Sequence, residues 1–411
     1  MKTKEPEQKN NFDVAIVGGG MAGLVLACLL GQSGFSVCVA DAEDPRHFAI
    51  PSGRTVALMG GSIDIIKATG IWPNIINDIC PLDVLRIIDD SAGHVSPLRI
   101  DFKPEDIGRS SFGYNIPHHV LKPALIQRLK AMGNISYLPK TSVSHIAVSP
   151  ARVTLTTDNG IFTARLVIGT DGKKSIVRQA AQIELDKKSY GQTAMTCLIR
   201  HTRPHHNTSA EHHRPGGPFT YVPLPGNISS IVWVEKDEDI PAYLSLKKQD
   251  LERAIQDRSL DALGRVTLMT DPQSWPLVTL TAQKLIAPRI ALAGEAAHAF
   301  SPIGAQGLNL SLRDVAVLAE ILTDSARLGE DIGDLLVLSR YQSRRQTDIQ
   351  TRTWGVNNLN RMVSNDTEFL RGLRRTGLKT LARFPTLRQV MMKEGLSPLT
   401  GHIRLMQESA L

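Results

Sequence analysis

The sequence predicts an α/β fold in which a second, sheet-rich region is inserted into the first and a helical region follows. Three observations support this prediction. A strand, a glycine loop, a helix and a second strand succeed one another from Val14 to Ala40. Between Tyr190 and Ala282 the pattern changes to short alternating segments separated by Pro and Gly, which is typical of an antiparallel sheet. From Gly307 onward the pattern is helical almost to the end. A chain of 411 residues is long enough for more than one core.

Composition and charge narrow the class of protein. The chain carries 47 basic and 40 acidic residues, which gives a formal net charge of +7. Such a mild excess suits anionic cofactors or an anionic membrane surface. Nucleic acid is not expected as a partner, because only 5% of the residues are aromatic and no nucleic-acid-binding motif is present.

The N-terminal residues and the cysteines indicate a reducing environment. Residues 1–11 are almost wholly polar and contain both Lys and Glu, so we predict a disordered tail rather than a secretory signal or transit peptide. No C-x-x-C pair occurs, so we predict buried free thiols rather than disulfides or a metal site. A cytoplasmic location follows from these expectations. The cysteines are Cys28, Cys38, Cys80 and Cys197.

One uncharged stretch, from Val14 to Gly31, approaches the length that a membrane span needs. Three consecutive glycines interrupt it, and Asp13 adjoins it. We therefore interpret it as a buried strand, a glycine turn and a buried helix.

The glycine turn has the form G-x-G-x-x-G. Gly18 permits a tight turn, Gly20 allows backbone to approach a pyrophosphate, and Gly23 permits close packing of helix on strand. The helix N-terminus attracts anionic oxygens. Asp41 ends the second strand, where an acid can accept from ribose hydroxyls. The alternative is a glycine-rich turn with an incidental acid.

Two later segments repeat the pattern of an apolar strand that ends in a glycine and an acid. Ala164–Ile168 leads into the turn Asp171-Gly172, which an ordinary Asp-Gly turn would also explain. Ile290–Ala293 leads into Gly294-Glu295, and a Pro/Gly loop then enters a helix whose positive end faces the same region. His298 follows, and we interpret it as structural rather than as a base.

In order and spacing, these three segments resemble those of the group A flavoprotein monooxygenases, the family of para-hydroxybenzoate hydroxylase. Within that family the chain is most similar to the ubiquinone-biosynthesis hydroxylases, and the likeness covers nearly the whole chain beyond the tail. The stretches that carry it are Tyr190-Gly191-Gln192, residues 217–224, residues 230–233, Trp275-Pro276-Leu277 and residues 302–314.

The resemblance implies a para-hydroxybenzoate hydroxylase-like, Rossmann-type FAD-binding domain and a set of FAD-binding residues. The pyrophosphate would lie on the glycine loop, the ribose on Asp41 and the ribityl chain on Glu295. Asp171 would serve both FAD and the visiting nicotinamide, and Arg54 matches the family's arginine in the loop after the second strand. The glycine-loop residues are Gly18, Gly20, Met21, Ala22 and Gly23, and those of the flavin-edge loop are Pro302, Gly304, Gln306, Gly307, Leu308 and Asn309.

Two positions depart from the family pattern. Glu295 stands where the family usually has Asp, which keeps the charge but shifts the ribityl contact by one methylene. His119 stands where an arginine is common near the cofactor, so a titratable imidazole replaces a permanent cation.

The resemblance implies a flavin-borne reaction: NAD(P)H reduces FAD, O2 is activated, and an aromatic ring of a lipophilic, polyprenylated ubiquinone precursor is hydroxylated. No catalytic side chain is assigned. Two alternatives stay open, namely an FAD-dependent dehydrogenase or prenyl reductase and a non-catalytic flavin-binding scaffold of a biosynthetic complex. Peripheral contact with the inner membrane and membership of a ubiquinone-biosynthesis complex are further expectations.

The signals for nucleotide binding lie on both sides of the antiparallel region, so one domain is predicted to be assembled from separate segments. The FAD-binding domain comprises residues 12–80, 113–185 and 283–330. The substrate domain comprises residues 81–112 and 186–282, and residues 331–411 form a C-terminal helical region.

Two further segments have distinctive composition. Five histidines fall between His201 and His213 among Pro, Asn and Gly, which predicts a surface loop rather than an ordered metal site. Near the C-terminus, basic residues run beside an apolar stripe, with Pro385 dividing two helices, and this pattern predicts a surface that binds anionic lipid or a partner protein. The alternative is a helix that packs on the catalytic domains and leaves its arginines in solvent. The basic residues are Arg371, Arg374, Arg375, Lys379, Arg383, Arg388 and Lys393, and the apolar ones are Leu370, Leu373, Leu381, Phe384, Leu387 and Met391.

Overall fold

The computed structural model describes residues 10–48, 50–90, 97–300, 306–364, 372, 376–378, 380–381, 383–396 and 403–407. The strands are β1 (Asn11–Val17), β2 (Val37–Asp41), β3 (Thr55–Met59), β4 (Cys80–Pro81), β5 (Val84–Asp89), β6 (Leu98–Phe102), β7 (Gly113–Pro117), β8 (Ile135–Pro139), β9 (Val143–Val148), β10 (Val153–Thr157), β11 (Gly160–Gly169), β12 (Leu185–His201), β13 (Thr208–His213), β14 (Phe219–Leu224), β15 (Ile228–Lys236), β16 (Val266–Leu268), β17 (Gln273–Ala282), β18 (Ile286–Ala287), β19 (Ile290–Leu292) and β20 (His298–Ala299). The helices are α1 (Met21–Gln32), α2 (Gly60–Ala68), α3 (Trp72–Ile75), α4 (His118–Lys130), α5 (Ile176–Ala180), α6 (Ile240–Leu244), α7 (Lys248–Arg258), α8 (Gln306–Arg327), α9 (Leu335–Ser364) and α10 (Pro385–Leu396).

The first sheet has the strand order β18-β19-β11-β1-β2-β8, and β10 and β9 extend it from β11. Strands β19, β11, β1, β2 and β8 run parallel, as βαβ connections require. Helix α1 packs against α4 and α8 and is buried along almost its whole length. An uncharged helix sandwiched in this way explains why residues 14–31 carry no charge, which confirms the strand–turn–helix interpretation.

The second sheet contains β20-β17-β12-β15-β14-β13-β5-β6, with β16 paired to β12. Its pairs are antiparallel except for β13 with β5, so the predicted mixed, mainly antiparallel sheet is confirmed. One face carries Phe219 and Trp233 into a core that α6 and α7 cover, because these residues alternate with residues of the other face.

A third, small sheet has the order β3-β7-β4 and lies between the other two. The hydroxyls of Thr55 and Ser230 are 2.8 Å apart, and Asn115 Nδ2 donates to the carbonyl of Pro223 at 3.0 Å, so β3 and β7 are bound to the second sheet. Strand β20 lies within the segment 283–330 but pairs with β17 of the second sheet.

At the ends of the chain, two features refine the sequence expectations. Strand β1 begins at Asn11, the last residue of the predicted tail, because Asn11 pairs with Thr163 of β11. Pro385 begins α10, as predicted from its fixed φ and missing N–H. Among the described residues, no helix combines the length and apolarity that a bilayer crossing requires. All four cysteines are buried free thiols, which confirms that prediction.

Candidate cofactor site

The three motif segments meet because neighbouring parallel strands end in one row of the first sheet. Ala40 of β2 is in register with Val17 of β1, Val17 with Gly169 of β11, and Gly169 with Leu292 of β19. The residues that follow this row therefore leave the sheet at the same edge. Ligands of open α/β sheets bind at this carboxyl edge.

The glycine loop packs directly on the neighbouring turn. Gly18 has φ +108°, a conformation that favours glycine, and a Cβ there would lie 2.5 Å from the carbonyl oxygen of Thr170. A Cβ on Gly23 would collide with the Gly18 carbonyl and the Thr170 hydroxyl. Within the part of the chain that the structure describes, a Cβ on Gly20 would meet no atom within 4 Å, so the space in front of it is open. The sequence-predicted residues Met21 and Ala22 lie in the first turn of α1 and are buried.

The start of α1 can bind an anion. No side chain caps the helix, and the N–H groups of a first turn have no partner within their own helix. Together with the helix dipole, these groups attract negative oxygens. The space in front of Gly20 can therefore take a pyrophosphate.

Asp41 is buried against the glycine loop, where its carboxylate would collide with a Cβ on Gly19. Tyr137 donates its hydroxyl to Asp41 Oδ2 at 3.0 Å, and the Lys122 ammonium lies 3.4 Å from the same oxygen. Lys122 also pairs with Glu43 at 3.0 Å. Burial and the neighbouring carboxylates raise the pKa of the Tyr137 hydroxyl, so it stays a donor.

Lys122 and Tyr137 were not predicted from the sequence. Both lie far from Asp41 in the chain, and no motif connects them to it. Lys122 lies on the buried side of α4. Because lysine is almost never buried unless it is paired, this position could have indicated that Lys122 has an acidic partner.

The Asp171 turn holds one carboxylate oxygen ready for a ligand. Oδ2 accepts from the backbone N–H of Ile176 at 2.7 Å. Among the described residues, Oδ1 is buried and accepts no hydrogen bond. Burial raises the pKa of this carboxyl, and a donor supplied by a ligand would satisfy the remaining oxygen.

Arg178 connects the Asp171 turn to the Gly294-Glu295 turn by hydrogen bonds. Its guanidinium is buried, and it donates to the carbonyl of Ala296 at 2.9 Å and to that of Lys173 at 2.8 Å. The two turns that follow β11 and β19 are thereby held at a fixed separation.

The Gly294-Glu295 turn is built from backbone contacts with its neighbours. The Ala293 N–H donates to Gly169 at 2.9 Å, and Gly294, with φ +62°, donates to Asp314 Oδ2 at 3.0 Å. The side chain of Glu295 is exposed at this edge. His298 is buried with its Nε2 atom 2.5 Å from Asp314 Oδ2, which fits the structural interpretation of this histidine.

Helices α8 and α9 support the turn from behind. Arg345 donates to Asp314 Oδ1 at 2.8 Å and to Asp348 at 2.6 Å, and Tyr341 donates to the carbonyl of Leu292 at 2.7 Å. Asp314, Arg345 and Tyr341 are buried. This network was not predicted from the sequence, because its members lie on two helices that meet only in the tertiary fold.

The flavin-edge loop is described in part. Pro302 and Gly304 lie outside the described residues, and so does the side chain of Gln306. Gly307 and Leu308 form the first turn of α8. Asn309 is buried and uses its amide twice: it donates to the Ala57 carbonyl and accepts from the Met59 N–H, both at 2.9 Å. Asn309 therefore fixes β3 to the start of α8.

Arg54 lies at the same edge, just before β3. Its guanidinium carbon is 3.9 Å from the centre of the Trp275 ring. Partial burial lowers the pKa of Arg54, and the charges of Glu43 and Glu295 oppose that effect. The backbone of Arg54 is anchored to α4, because its carbonyl accepts from the His118 N–H at 3.0 Å.

Helix α4 begins with His118 and His119, and the positive charges of Arg54 and Lys122 act on His118. Burial, Arg54 and Lys122 lower the pKa of His118 to about 4, so this imidazole is neutral at physiological pH. Burial also lowers the pKa of His119, whose opposing charge is Asp78. The sequence pattern had indicated His119 and not His118.

The histidine-rich segment is the predicted surface loop only in its middle part, residues 202–207, where His206 is exposed. His201 ends β12, and His212 and His213 lie in a strand. Residues 208–213 form β13, which pairs with β14 and β5. His212 is fully buried between the rings of Phe219 and Tyr221, where a neutral imidazole packs like an aromatic side chain. Among the described residues, no three His, Cys, Asp or Glu side chains group as a metal site would require.

These features fit FAD. Three features occupy one edge of the sheet, as far as the described residues go: the start of α1, which has no side-chain cap and open space before it, the buried Asp171 oxygen without a donor, and the exposed Glu295 carboxylate. In charge and hydrogen-bonding role they match the pyrophosphate and the ribityl hydroxyls of a flavin dinucleotide, and the buried Asp41 carboxylate matches its ribose.

Known proteins share both the sequence and the fold. The chain matches the FAD-binding domain family over residues 11–351. It is 33% identical to ubiquinone hydroxylase UbiL of Rhodospirillum rubrum, over 94% of this chain and 90% of that protein. It is 30% identical to the 3-demethoxyubiquinol 3-hydroxylase of Escherichia coli, over 93% of this chain and 98% of that protein. The solved p-nitrophenol 4-monooxygenase PnpA of Pseudomonas putida DLL-E4 superposes with a TM-score of 0.78 at 19% identity, over 94% of this chain and 98% of that chain, which confirms the predicted fold.

Proposed function

The chain belongs to the FAD-binding domain family, and we propose that it uses FAD, NAD(P)H and O2 to hydroxylate the aromatic ring of a polyprenylated ubiquinone precursor. The main observation behind this proposal is that four parallel strands of the first sheet end in register at residues 40, 17, 169 and 292, so that the cofactor motifs lie at one edge of this sheet. Relatives that are ubiquinone hydroxylases support the choice of ring.

The residues at this edge have distinct proposed roles. The start of α1 holds the pyrophosphate, Asp41 holds the ribose, and Asp171 and Glu295 hold ribityl hydroxyls. The positive end of α8 would lie at the flavin edge and would stabilise negative charge on the reduced cofactor. When bound, FAD accepts a hydride from NAD(P)H and activates O2.

The protein itself positions the cofactor and the ring and keeps water away. Asn309 and the Thr55–Ser230 contact hold β3 between the flavin-edge helix and the second sheet. We assign no side chain as an acid or base, and His298 is unsuited to that role because it is buried and bound to Asp314.

A labelled-oxygen assay tests the function. The FAD-loaded protein is incubated with NAD(P)H, isotopically labelled O2 and a detergent-dispersed prenylated phenol, and the product is analysed by mass spectrometry. We expect substrate-stimulated NAD(P)H oxidation and one labelled oxygen atom in the ring. Oxidation without labelled product would indicate a dehydrogenase or reductase, and bound FAD without turnover would indicate a scaffold. Deleting the gene and identifying the quinone intermediate that accumulates would locate the ring carbon.

We further propose that α10 brings the enzyme to an anionic membrane surface, because a polyprenylated substrate resides in lipid. Four large apolar side chains on and just before this helix point into solvent: Phe384 is 54% exposed, Leu387 44%, Val390 55% and Met391 52%. Their spacing places them on one helical face. Exposed apolar rows of this kind mark interaction surfaces.

The opposite side of α10 is already packed on the protein. Met392 is buried in a cluster with Ile100 and Phe102, and Arg388 pairs with Asp106 at 3.1 Å. Two residues correct the predicted arrangement. Arg388 was predicted on a free basic face but is paired with Asp106, and Leu381 was predicted in the apolar stripe but is half-buried in the same cluster as Met392. Exposed Arg383 and Lys393 remain beside the apolar row and complement anionic headgroups. The predicted residues Leu370, Arg371, Leu373, Arg374, Arg375 and Lys379 lie outside the described residues.

A further inference from the structure

A stacked pair of side chains spans the junction between the cofactor-binding edge and the second sheet. The guanidinium of Arg54 lies over the ring of Trp275, with its carbon 3.9 Å from the ring centre. Arg54 precedes β3, whereas Trp275 lies in β17. The pair therefore joins two sheets whose strands are far apart in the chain.

The fold determines the position of both partners. The Arg54 carbonyl accepts from the His118 N–H at 3.0 Å. Gly53 has φ +79°, and a Cβ there would lie only 3.2 Å from Cys197 Cα, so the loop is pressed against the second sheet. Trp275 is in register with Ala194, beside an irregularity in the β12–β17 ladder between Ser189 and Thr193. The stacking is thus set by the backbone rather than by two freely moving side chains.

The stack leaves the hydrogen-bonding edge of Arg54 available. Among the described residues, its guanidinium makes no hydrogen bond and has no carboxylate oxygen within 4.0 Å, although Glu43 and Glu295 act on it at longer range. Stacking on a ring uses the face of a guanidinium, whereas its N–H groups point outward in the plane. Trp275 is 40% exposed, so the pair lies at the rim of the site.

We propose that Trp275 is a positioning residue that holds Arg54 ready to bind the pyrophosphate of a dinucleotide at this rim. The planar fork of Arg54 matches two phosphate oxygens at once, and the ring removes much of the freedom that the long side chain would otherwise lose on binding. The proposal rests on the proposed function and adds to it a residue outside the dinucleotide motifs. The pyrophosphate belongs either to FAD or to the nicotinamide dinucleotide.

Two titrations distinguish these sources. In the first, FAD is added to the apoprotein and its dissociation constant is measured from the flavin fluorescence. In the second, the FAD-saturated protein is reduced by NAD(P)H without oxygen, which separates the dissociation constant of the nicotinamide from the limiting rate of reduction. The variants are Trp275→Leu, Trp275→Phe, Arg54→Ala and the double variant Trp275→Leu/Arg54→Ala. Trp354→Leu is the matched control, because Trp354 is 72% exposed on α9.

We expect Trp275→Leu to raise one of the two dissociation constants by about 3- to 30-fold, the range for loss of a cation–π contact, with the limiting rate unchanged. Trp275→Phe, which keeps a weaker ring, should cause a smaller rise and serves if the leucine variant does not fold. In the Arg54→Ala background the tryptophan change should add nothing. The dissociation constant should also depend less on salt in Trp275→Leu, which loss of packing alone would not produce.

A rise confined to FAD would identify FAD as the ligand, and a rise confined to NAD(P)H would identify the nicotinamide. Unchanged constants for both, or additive effects in the double variant, would overturn the proposal. Neither titration requires hydroxylation. The role of Trp275 could therefore still be judged from the dissociation constants if the proposed ring chemistry proved wrong.

Discussion

The backbone N–H of Gly294 donates a hydrogen bond of 3.0 Å to the carboxylate of Asp314. Gly294 begins the turn that presents Glu295, whereas Asp314 lies in the middle of α8. Burial disfavours charge on Asp314, but His298 and Arg345 hold its pKa below the ordinary value. A buried ion network on two helices thus sets the position of an exposed cofactor-edge carboxylate.

Asp314→Asn tests this support. The substitution keeps the shape but removes the charge of one of the two carboxylates that pair with the buried Arg345 guanidinium, and only Asp348 remains. We therefore expect a loss of about 3–5 kcal/mol in the free energy of unfolding and weaker FAD binding. Thermal unfolding and FAD titration measure both effects. Glu330→Gln, which removes a surface ion pair with Arg340, is the control and should change neither. Parent-like stability of Asp314→Asn would contradict the role of the network.

Gly20→Val should abolish FAD binding while the fold survives. A Cβ at this position meets no atom of the described residues within 4 Å, and the valine side chain would fill the space in front of the helix start where the pyrophosphate would lie. The purified variant should be colourless and should unfold at the temperature of the parent apoprotein. Gly133→Val is the control, because a Cβ at Gly133 also meets no atom of the described residues within 4 Å, and this variant should stay yellow with FAD. FAD affinity like that of the parent would show that our interpretation of the loop is wrong.

Glu295→Gln should weaken FAD binding without changing the fold. A charge-assisted hydrogen bond contributes about 1.5–3 kcal/mol, so the dissociation constant should rise roughly 10- to 100-fold. Glu295→Asp should be mild, because it restores the commoner residue of the family. The exposed Glu238→Gln variant is the control. An unchanged dissociation constant in Glu295→Gln would count against the ribityl contact.

The buried His212 predicts a loss of stability in acid. Among the described residues, neither ring nitrogen has a hydrogen-bond partner, and burial lowers the pKa of this imidazole to about 3. Because the folded pKa lies below that of the unfolded chain, stability is full above about pH 6.5 and is lost as pH falls toward the folded value. At pH 5 the loss from this group is on the order of 2 kcal/mol.

His212→Phe should therefore reduce the difference in unfolding temperature between pH 7 and pH 5. Part of the difference should persist, because the pKa of His118 is lowered in the same direction. Replacing the exposed His145 by Phe is the control. An equal pH dependence in parent and His212→Phe would refute the assignment.

Flotation with liposomes tests the α10 surface. We expect the protein to float with anionic vesicles and much less with neutral ones, because the apolar row inserts and Arg383 and Lys393 add electrostatic attraction. Replacing Phe384, Leu387 and Met391 by Ser should abolish flotation and leave the unfolding temperature unchanged, since these side chains are exposed. The control is Leu244→Ser, an exposed apolar residue elsewhere. Equal, negligible binding to both vesicle types would exclude lipid and favour a partner protein.

Much of the cofactor edge could be predicted from local pattern. Gly18, Asp41, Asp171 and Gly294 each follow an apolar strand, and parallel strands of one sheet end at a common edge, so order along the chain predicts proximity. The histidine segment shows where local pattern fails. Histidine is polar, so His212 was expected at the surface, but its neutral imidazole packs against the rings of Phe219 and Tyr221. This burial depends on the pairing of β13 with β14, which the sequence pattern does not show.

The sequence by itself determined the class of fold and the cofactor motifs, because strand periodicity and glycine turns depend on residues close together in the chain. The tertiary structure decided which side chains support and complete that edge. Lys122 and Tyr137 reach Asp41, Arg345 reaches Asp314, and Trp275 reaches Arg54, each from a distant element. Contacts of this kind depend on how sheets and helices pack, and no short-range periodicity records that packing.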